Sequence, residues 1–461
     1  MTSKPSFTSV ISSRGFRFLW FNQILVQLSY NTINFALLIW VFKLTNSTLA
    51  VSVLMLAVYL PSLLFGMLAG IYVDRADRRK ILLVIDLLLA VGFLLFIFIR
   101  HSYPLILIDA FFINTLGQFF LPTESSSIPI LVKKPQLLLA NSLFSLTLYG
   151  SFMIGYSLAG PILNYQGINA VFLFGFFAMI AATIISLNLP KIRSAQGGKF
   201  ATLPDARELH KLINLTFAEA EIAAKFIRGK VNILAGIMLM AGMQGVIGAL
   251  AVVMPSYMET VLHIHATDAS YVLMIPLGLG MITGALLIGH FANAIPRRHI
   301  VIPAIIAAGI LFLLAGITPF IADWIQAADL PNYIRHPRFF FRAPSLSATF
   351  AVGSYFLGIA AVGIIVPAQT VLQENTTEAN RGKIFAMLLV MMNIFAAIVS
   401  LLAGLLADLF GPMSVLLVIS ALILPVGILV RRPASFLKED HLPYRIREFL
   451  GLGHWEGNSR K

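Results

Sequence analysis

Carboxylates inside long apolar stretches are the residues of this sequence whose chemistry stands out first. Five acids lie within such stretches or at their ends: Asp86, Asp109, Glu124, Glu374 and Asp408. A charge in apolar surroundings is costly unless it is paired or neutralised, so an acid placed there is a candidate for taking up and releasing a proton. We expect Asp109 to be the proton-coupling residue. The alternative is a structural pairing with Arg100 or His101, at the same end of its stretch.

Polar residues also fall on one face of the first apolar stretch. Gln23, Gln27, Tyr30, Asn31 and Asn34 are spaced at i, i+4, i+7, i+8 and i+11, which places all five on one side of an α-helix. Amides inside a bilayer need hydrogen-bond partners, so we predict that this face contacts a substrate. Hydrogen bonding between helices is the alternative. Other stretches contribute Asn114, Gln118, Gln244, Gln369 and Asn393 to the same predicted site.

Signatures of enzyme active sites are missing from the sequence. It contains no Gly-x-Gly-x-x-Gly opening a helix after a strand, no phosphate-binding Gly-x-x-x-x-Gly-Lys-Ser/Thr and no His-Glu-x-x-His. The nine His are scattered and there is no Cys. We therefore expect no enzymatic activity, no catalytic residues, no metal site and no cofactor, and the missing phosphate-binding loop argues against an ATP-driven pump.

The elements that must position these side chains are apolar runs long enough to cross a bilayer. Hydrophobic residues make up 58% of the 461 residues and charged residues only 11%, against ~25% charged in an ordinary soluble domain. Twelve runs of about 20 residues each have the length needed to cross a hydrocarbon core. They cover approximately residues 18–43, 49–73, 81–99, 104–124, 137–163, 169–189, 231–258, 269–291, 300–321, 346–371, 383–406 and 412–430. The sequence therefore predicts an all-α membrane protein with twelve transmembrane helices.

Lys and Arg set the expected orientation. The chain carries 33 Lys and Arg against 20 Asp and Glu, a net charge of +13. With the N-terminus in the cytoplasm, only five of these cations fall on the outer side: Lys43, Arg100, Arg335, Arg338 and Arg342. The positive-inside rule thus predicts cytoplasmic N- and C-termini in the cell membrane. Because the inner charges are spread over separate loops, we expect contacts with membrane lipids and no nucleic-acid partner.

A repeated loop sequence divides the chain into two halves. Gly70-x-x-x-Asp74-Arg75-x-Asp77-Arg78-Arg79 follows the second run, and Gly289-x-x-x-Asn293-x-x-Pro296-Arg297-Arg298 follows the eighth, 219 residues later. Each Gly is expected to let two helices approach closely. A parallel repeat predicts two six-helix bundles related by a pseudo-twofold axis. We place the bundles at 1–190 and 231–432, a cytoplasmic linker with an amphipathic helix at 191–230, and a cytoplasmic tail at 433–461.

The first of these loops resembles the signature of the major facilitator superfamily, Gly-x-x-x-Asp-Arg-x-Gly-Arg-Arg. Asp77 replaces the second Gly, a departure that the drug and siderophore exporters of the superfamily often show. Further likeness lies in Asp86, Pro122, Pro129-Ile130-Leu131-Val132, Gly155-x-x-x-x-Gly160-Pro161 and Gln373-Glu374-Asn375-Thr376-Thr377 followed by Arg381-Gly382-Lys383. The Gly-Pro pattern is a loose antiporter motif that lacks the usual double Gly. The sequence most resembles the macrolide-efflux and enterobactin-exporter type, with lysophospholipid transporters as near relatives.

The resemblance implies a secondary active transporter. In the superfamily, helices 1, 4, 7 and 10 line a central cavity, so the amides named above are expected to bind the substrate. The signature residues and charged residues of other loops are expected to form a conformational latch: Gly70, Asp74, Arg75, Arg78, Arg79, Asp86, Glu374 and Arg381. Within it, we expect Asp86 to pair with an Arg of its own loop.

The implied function is proton-coupled efflux of an amphipathic small molecule, such as a drug, a macrolide or a siderophore, by a monomer that works through alternating access. Two alternatives stay open. The first is transport of lysophospholipids or other lipids. The second, of another class, is a non-transporting membrane scaffold or sensor that docks through the tail beginning at Pro433.

Overall fold

The computed structural model describes residues 7–192, 231–291, 298–327, 346–374 and 378–431, and these ranges are helical apart from short connections. After a single turn at Phe7–Ile11, the long helices are α1 Arg14–Thr45, α2 Thr48–Arg75, α3 Arg78–Ile99, α4 Tyr103–Leu131, α5 Leu137–Gln166, α6 Ile168–Leu187, α7 Val231–Thr260, α8 Ile275–Phe291, α9 Arg298–Ala327, α10 Leu346–Glu374, α11 Glu378–Phe410 and α12 Pro412–Arg431. Each contains a segment long and apolar enough to cross a membrane, α8 together with the turns that precede it. The prediction of an all-α fold with twelve spans is confirmed.

The chain forms two compact units. The first comprises Met1–Asn46 and Val53–Ala218, and the second comprises Ser47–Ser52 and Glu219–Lys461. The first turn of α2 therefore belongs to the second unit, which the sequence did not indicate. The predicted tail, and all of the predicted linker except residues 191 and 192, lie outside the described ranges, as does the predicted amphipathic helix.

In the first unit, α1 packs against α5 and α6, and α3 packs against α4 and α6. Gly175 on α6 lets both α1 and α3 approach this helix closely. A Cβ added at Gly175 would lie 2.2 Å from Cδ1 of Ile33 on α1 and 2.9 Å from Cδ2 of Phe93 on α3. One layer further, the rings of Phe96 and Phe172 stack with centroids 5.1 Å apart. Small residues thus allow the large side chains of neighbouring helices to interdigitate. Membrane helices associate through dispersion contacts of this kind.

The second unit is built from the pairs α7 with α11, α8 with α10, and α9 with α12. The α8–α10 pair packs closely, because glycines on both helices face the partner backbone. A Cβ at Gly280 would lie 1.9 Å from the carbonyl oxygen of Tyr355, and one at Gly358 would lie 2.1 Å from that of Leu277. No side chain fits at either position.

Large apolar side chains project outward from both units. Phe98 is 76% exposed, Leu138 79% and Leu286 71%. Exposed apolar side chains in such number are unfavourable in water and favourable in lipid. The fold is that of an integral membrane protein.

Replacing Gly280 by Ala tests the α8–α10 contact. The new methyl collides with the Tyr355 carbonyl, and overpacking of this kind costs about 1–3 kcal/mol, more than the helix propensity gained by losing a Gly, about 1 kcal/mol. We expect Gly280→Ala to lower the thermal unfolding temperature of the purified protein. The matched control is Gly353→Ala on α10, since no atom lies within 4 Å of a Cβ there. A Gly280 variant as stable as this control would contradict the packing described.

Candidate functional site

The polar face of α1 is held in place by hydrogen bonds along its own helix. Nδ2 of Asn31 donates to the carbonyl oxygen of Gln27 at 2.8 Å, and Nδ2 of Asn34 donates to that of Tyr30 at 2.9 Å. Both asparagines are half-buried. This bonding to the carbonyl four residues earlier satisfies part of each amide and leaves its oxygen to accept a hydrogen bond from another molecule.

One residue of this face joins α1 to α4. The hydroxyl of Tyr30 donates to Oδ1 of Asn114, whose own Nδ2 donates to the carbonyl of Ala110 at 2.7 Å. Gln118, one turn further, donates to the carbonyl of Asn114, and its Oε1 would lie 3.8 Å from a Cβ at Gly66 on α2. Polar residues predicted separately for spans 1 and 4 are therefore brought together. That they bind a substrate stays a prediction.

The first residue of the predicted face points elsewhere. Nε2 of Gln23 donates to the carbonyl of Phe144 on α5 at 3.3 Å, and one turn earlier Nε1 of Trp20 donates to the hydroxyl of Thr147 at 2.7 Å. Gln23 is buried. For this residue the structure matches the alternative reading, hydrogen bonding between helices.

Two tyrosines of the same region were missed by the sequence reasoning. Tyr156 on α5 lies with its ring centroid 4.7 Å from that of Phe35 and 4.3 Å from that of Phe152. It lies in the same region of the first unit as Tyr30 and Tyr59 on α2. A single tyrosine in an apolar run creates no periodic pattern, so only the tertiary structure reveals that these tyrosines lie in one region.

The amides predicted for the other half lie in the second unit. Gln244 on α7, Gln369 on α10 and Asn393 on α11 are each half-buried. Among the residues that the structure describes, no hydrogen bond joins these three side chains, so their joint role as a binding surface stays a prediction.

Asp109 is buried, with 4% of its surface exposed, and its Oδ2 has no hydrogen-bond partner among the described residues. The alternative pairing with Arg100 or His101 is wrong. Arg100 instead donates to Nε2 of His101, to the carbonyl of Ile97 and to Oδ1 of Asn169. Asp109 faces α3, where its Oδ1 would lie 3.4 Å from a Cβ at Gly92.

Asp408 and Glu374 are engaged differently. The carboxylate of Asp408 accepts hydrogen bonds from the backbone N–H groups of Thr48 and Leu49 at 2.7 and 3.2 Å, and from the hydroxyl of Ser47 at 2.6 Å. It caps the beginning of α2, where unpaired N–H groups and the helix dipole favour a negative charge. Glu374 is exposed at the last residue of α10. Neither has the surroundings of a buried proton carrier.

The expected pairing of Asp86 with an Arg of its own loop is wrong. Oδ2 of this fully buried residue accepts from Nδ2 of Asn22 at 2.8 Å and from the hydroxyl of Ser186 at 2.7 Å. Neutral donors from α1 and α6 thus satisfy one of its two oxygens, and Arg79, at the start of the same helix, donates to the carbonyl of Leu187. Asn22 and Ser186 carried no sequence signal.

The predicted latch is described only in part. Asp77 begins α3 by accepting a hydrogen bond from the backbone N–H of Arg79 at 3.1 Å. No described atom lies within 4 Å of a Cβ built at Gly70 or Gly289, so the expected close approach at the signature glycines stays a prediction. The side chains of Asp74, Arg75 and Arg381, and residues 292–297 with Asn293, Pro296 and Arg297, lie outside what the structure describes.

The described residues form twelve apolar helices with polar side chains buried between them, the architecture of an integral membrane protein. Residues 19–330 match the profile of the Major Facilitator Superfamily, and the chain belongs to this superfamily. It is similar to macrolide efflux protein A of Streptococcus pyogenes, with 23% identity over 65% of this chain and 72% of that protein. It is also similar to macrolide efflux protein A of Enterococcus faecalis, with 24% identity over 57% of this chain and 78% of that protein.

Solved structures agree on the fold. The nucleoside transporter NupG superposes with a TM-score of 0.65 over 93% of this chain and 99% of its own, at 13% identity. The match of residues 19–330 to the superfamily profile confirms the predicted family.

Removing the Tyr30 hydroxyl tests the α1–α4 contact. In Tyr30→Phe, the buried Oδ1 of Asn114 loses its donor, so we expect the free energy of unfolding to fall by about 1 kcal/mol. Thermal unfolding of the purified variant measures this. Tyr72→Phe is the matched control, because the Tyr72 ring makes an edge contact with Phe119 and the described residues offer its hydroxyl no hydrogen bond. Equal stability of the two variants would speak against the contact.

Proposed function

We propose that this member of the superfamily exports an amphipathic small molecule, such as a drug, a macrolide or a siderophore, in exchange for protons by alternating access. The observation that carries the proposal is the cluster of Tyr30, Asn114, Tyr59 and Tyr156 inside an apolar bundle. Aromatic faces bind the apolar part of such a molecule, and amide and hydroxyl groups bind its polar part. The similarity to macrolide efflux proteins supports the direction of transport.

The oxygens of Asn31 and Asn34 extend this cluster along α1. With each Nδ2 held by its own helix, the two amides offer acceptors at fixed positions. A ligand with hydroxyl or ammonium donors along one edge would match them.

Asp109 supplies the proposed coupling proton, because a buried carboxylate without a partner is stable in lipid only when neutral. The excess of Lys and Arg in alternate loops supports placement in the cell membrane with both termini in the cytoplasm.

Transport in everted membrane vesicles with an imposed pH gradient tests the function. The panel contains macrolides, dyes, siderophores and lysophospholipids, and gradient-driven accumulation of one of the first three is the expected result. Accumulation of lysophospholipids alone would favour the lipid transporter. If no compound moves or raises the thermal stability of the protein, the exporter proposal fails; a partner captured through the tail would then favour the scaffold.

Asn34→Ala tests the binding role of the α1 face. Losing one hydrogen bond to the substrate costs up to about 1.5 kcal/mol, so we expect KM for the transported compound to rise by up to about tenfold with little change in maximal rate. Asn188→Ala is the control, since Asn188 makes the same bond to a carbonyl four residues earlier but lies exposed after the end of α6. An unchanged KM in Asn34→Ala would remove this residue from the site.

Asp109→Asn tests the coupling role. An amide cannot exchange a proton, so we expect accumulation driven by the pH gradient to fall to the level seen without a gradient, while exchange of labelled for unlabelled substrate continues. Asp268→Asn, which changes a half-buried acid of the second unit, should transport normally. Gradient-driven transport that survives in Asp109→Asn would exclude Asp109 as the proton carrier.

A further inference from the structure

A pair of buried carboxylates, separate from Asp109, lies in the first unit. Asp86 on α3 is fully buried, and Glu124 on α4 is 1% exposed. They are near enough for their charges to interact. Both lie close to the membrane face where α3 begins at Arg78 and α4 ends at Leu131. Asp86 is eight residues and Glu124 seven residues from these ends, about 12 and 10 Å along a helix.

The surroundings of the pair contain more hydrogen-bond acceptors than donors. Both oxygens of Glu124, Oδ1 of Asp86 and Oδ1 of Asn22 are buried acceptors without a partner among the described residues. The donors beside them are already used. The hydroxyl of Ser186 and Nδ2 of Asn22 donate to the other oxygen of Asp86.

The hydroxyls next to Glu124 on α4 are used as well. Thr123 donates to the carbonyl of Phe119, and Ser127 donates to that of Thr123, each at 2.6 Å. No nearby hydroxyl on this helix is left to satisfy the Glu124 carboxylate.

Among the side chains that the structure describes, no cation compensates the pair. Among the described residues, neither Asp86 nor Glu124 forms an ion pair with Arg78 or Arg79, the basic residues at the start of α3, and Arg79 donates to the Leu187 carbonyl. Asp77 is occupied in capping α3. The other charged side chains described at this end of the packed helices are exposed: Arg14, Arg17, Lys80, Lys133, Lys134 and Lys191. Two buried carboxylates whose charges interact cannot both remain ionised in these surroundings without a large cost.

We propose that Asp86 and Glu124 form a second proton-binding site, in which the pair holds one proton taken up from the membrane face where α3 begins. The proton converts one carboxylate into a carboxylic acid, which supplies one donor to a site rich in unpartnered acceptors and removes the repulsion between the two charges. Its contribution to export rests on the proposed proton-coupled function, but the binding of the proton is measured without transport.

Infrared spectroscopy of the purified protein at neutral pH tests the site. A carboxylic acid has a C=O stretch separate from that of a carboxylate, and we expect this band to lose the intensity of one carboxyl group in Glu124→Gln or in Asp86→Asn. Glu259→Gln, at a half-buried glutamate near the end of α7, is the matched control and should leave the band unchanged. A band of unchanged intensity in both folded variants of the pair overturns the proposal.

A second measurement uses the unaltered protein in case the variants do not fold. Dicyclohexylcarbodiimide reacts with protonated carboxyl groups in apolar surroundings, and mass spectrometry should find its adduct on Glu124 or Asp86, with labelling that disappears as pH rises. Absence of the adduct on both residues overturns the proposal. Labelling that sodium abolishes at constant pH also overturns it, because the pair would then bind sodium instead of a proton.

Vesicle transport separates this inference from the proposed function. If the infrared band and the labelling behave as expected but no compound is moved by a pH gradient, the exporter proposal fails and the proton site stands. If gradient-driven export is found and the band and labelling are absent, the site fails and the exporter stands.

Discussion

A hydrocarbon layer offers no hydrogen bonds, and every polar group that this chain places in it must be satisfied by the protein itself. The backbone meets this requirement by forming helices throughout the described spans. Short polar side chains follow the same rule by donating to the carbonyl four residues earlier, as Thr32, Thr115 and Thr183 do. Only polar groups that find no hydrogen-bond partner in their own helix are left to form contacts between helices or to bind a ligand.

The acidic side chains that need hydrogen-bond donors find them in different ways. Asp408 uses the free N–H groups at the start of α2, and Asp77 uses one at the start of α3. Asp86 is half-satisfied by neutral donors from two other helices. Glu124 and Asp109 have buried oxygens with no donor among the described residues. The proton binding that we propose for Asp109 and for the Asp86–Glu124 pair rests on these unpartnered oxygens, because a proton is the smallest ligand that can complete their hydrogen bonding.

Close packing is the second consequence of the apolar surroundings. Lipid tails are as apolar as Leu, so helices associate through dispersion contact and must approach closely. Gly155 shows how this serves the candidate site. An added Cβ there would lie 2.8 Å from Cβ of Asn31, so α5 rests directly against the polar face of α1. The glycine of the loose antiporter pattern thus sets the distance between the two helices that carry Asn31 and Tyr156.

The sequence by itself determined the twelve helices, the superfamily and the polar face of α1, because length, hydropathy, motif and helical period are local properties of the chain. Only the tertiary structure decided what each polar residue contacts. Asp86 meets residues that are 64 and 100 positions away in the chain and not the Arg of its own loop. Gln23 contacts α5 and Asp109 faces α3, although the position of each residue in its own helix is also compatible with facing a common cavity. The reason is physical: hydropathy is similar around much of a membrane helix, so the sequence leaves the rotation of each helix undefined, and packing against its neighbours fixes it.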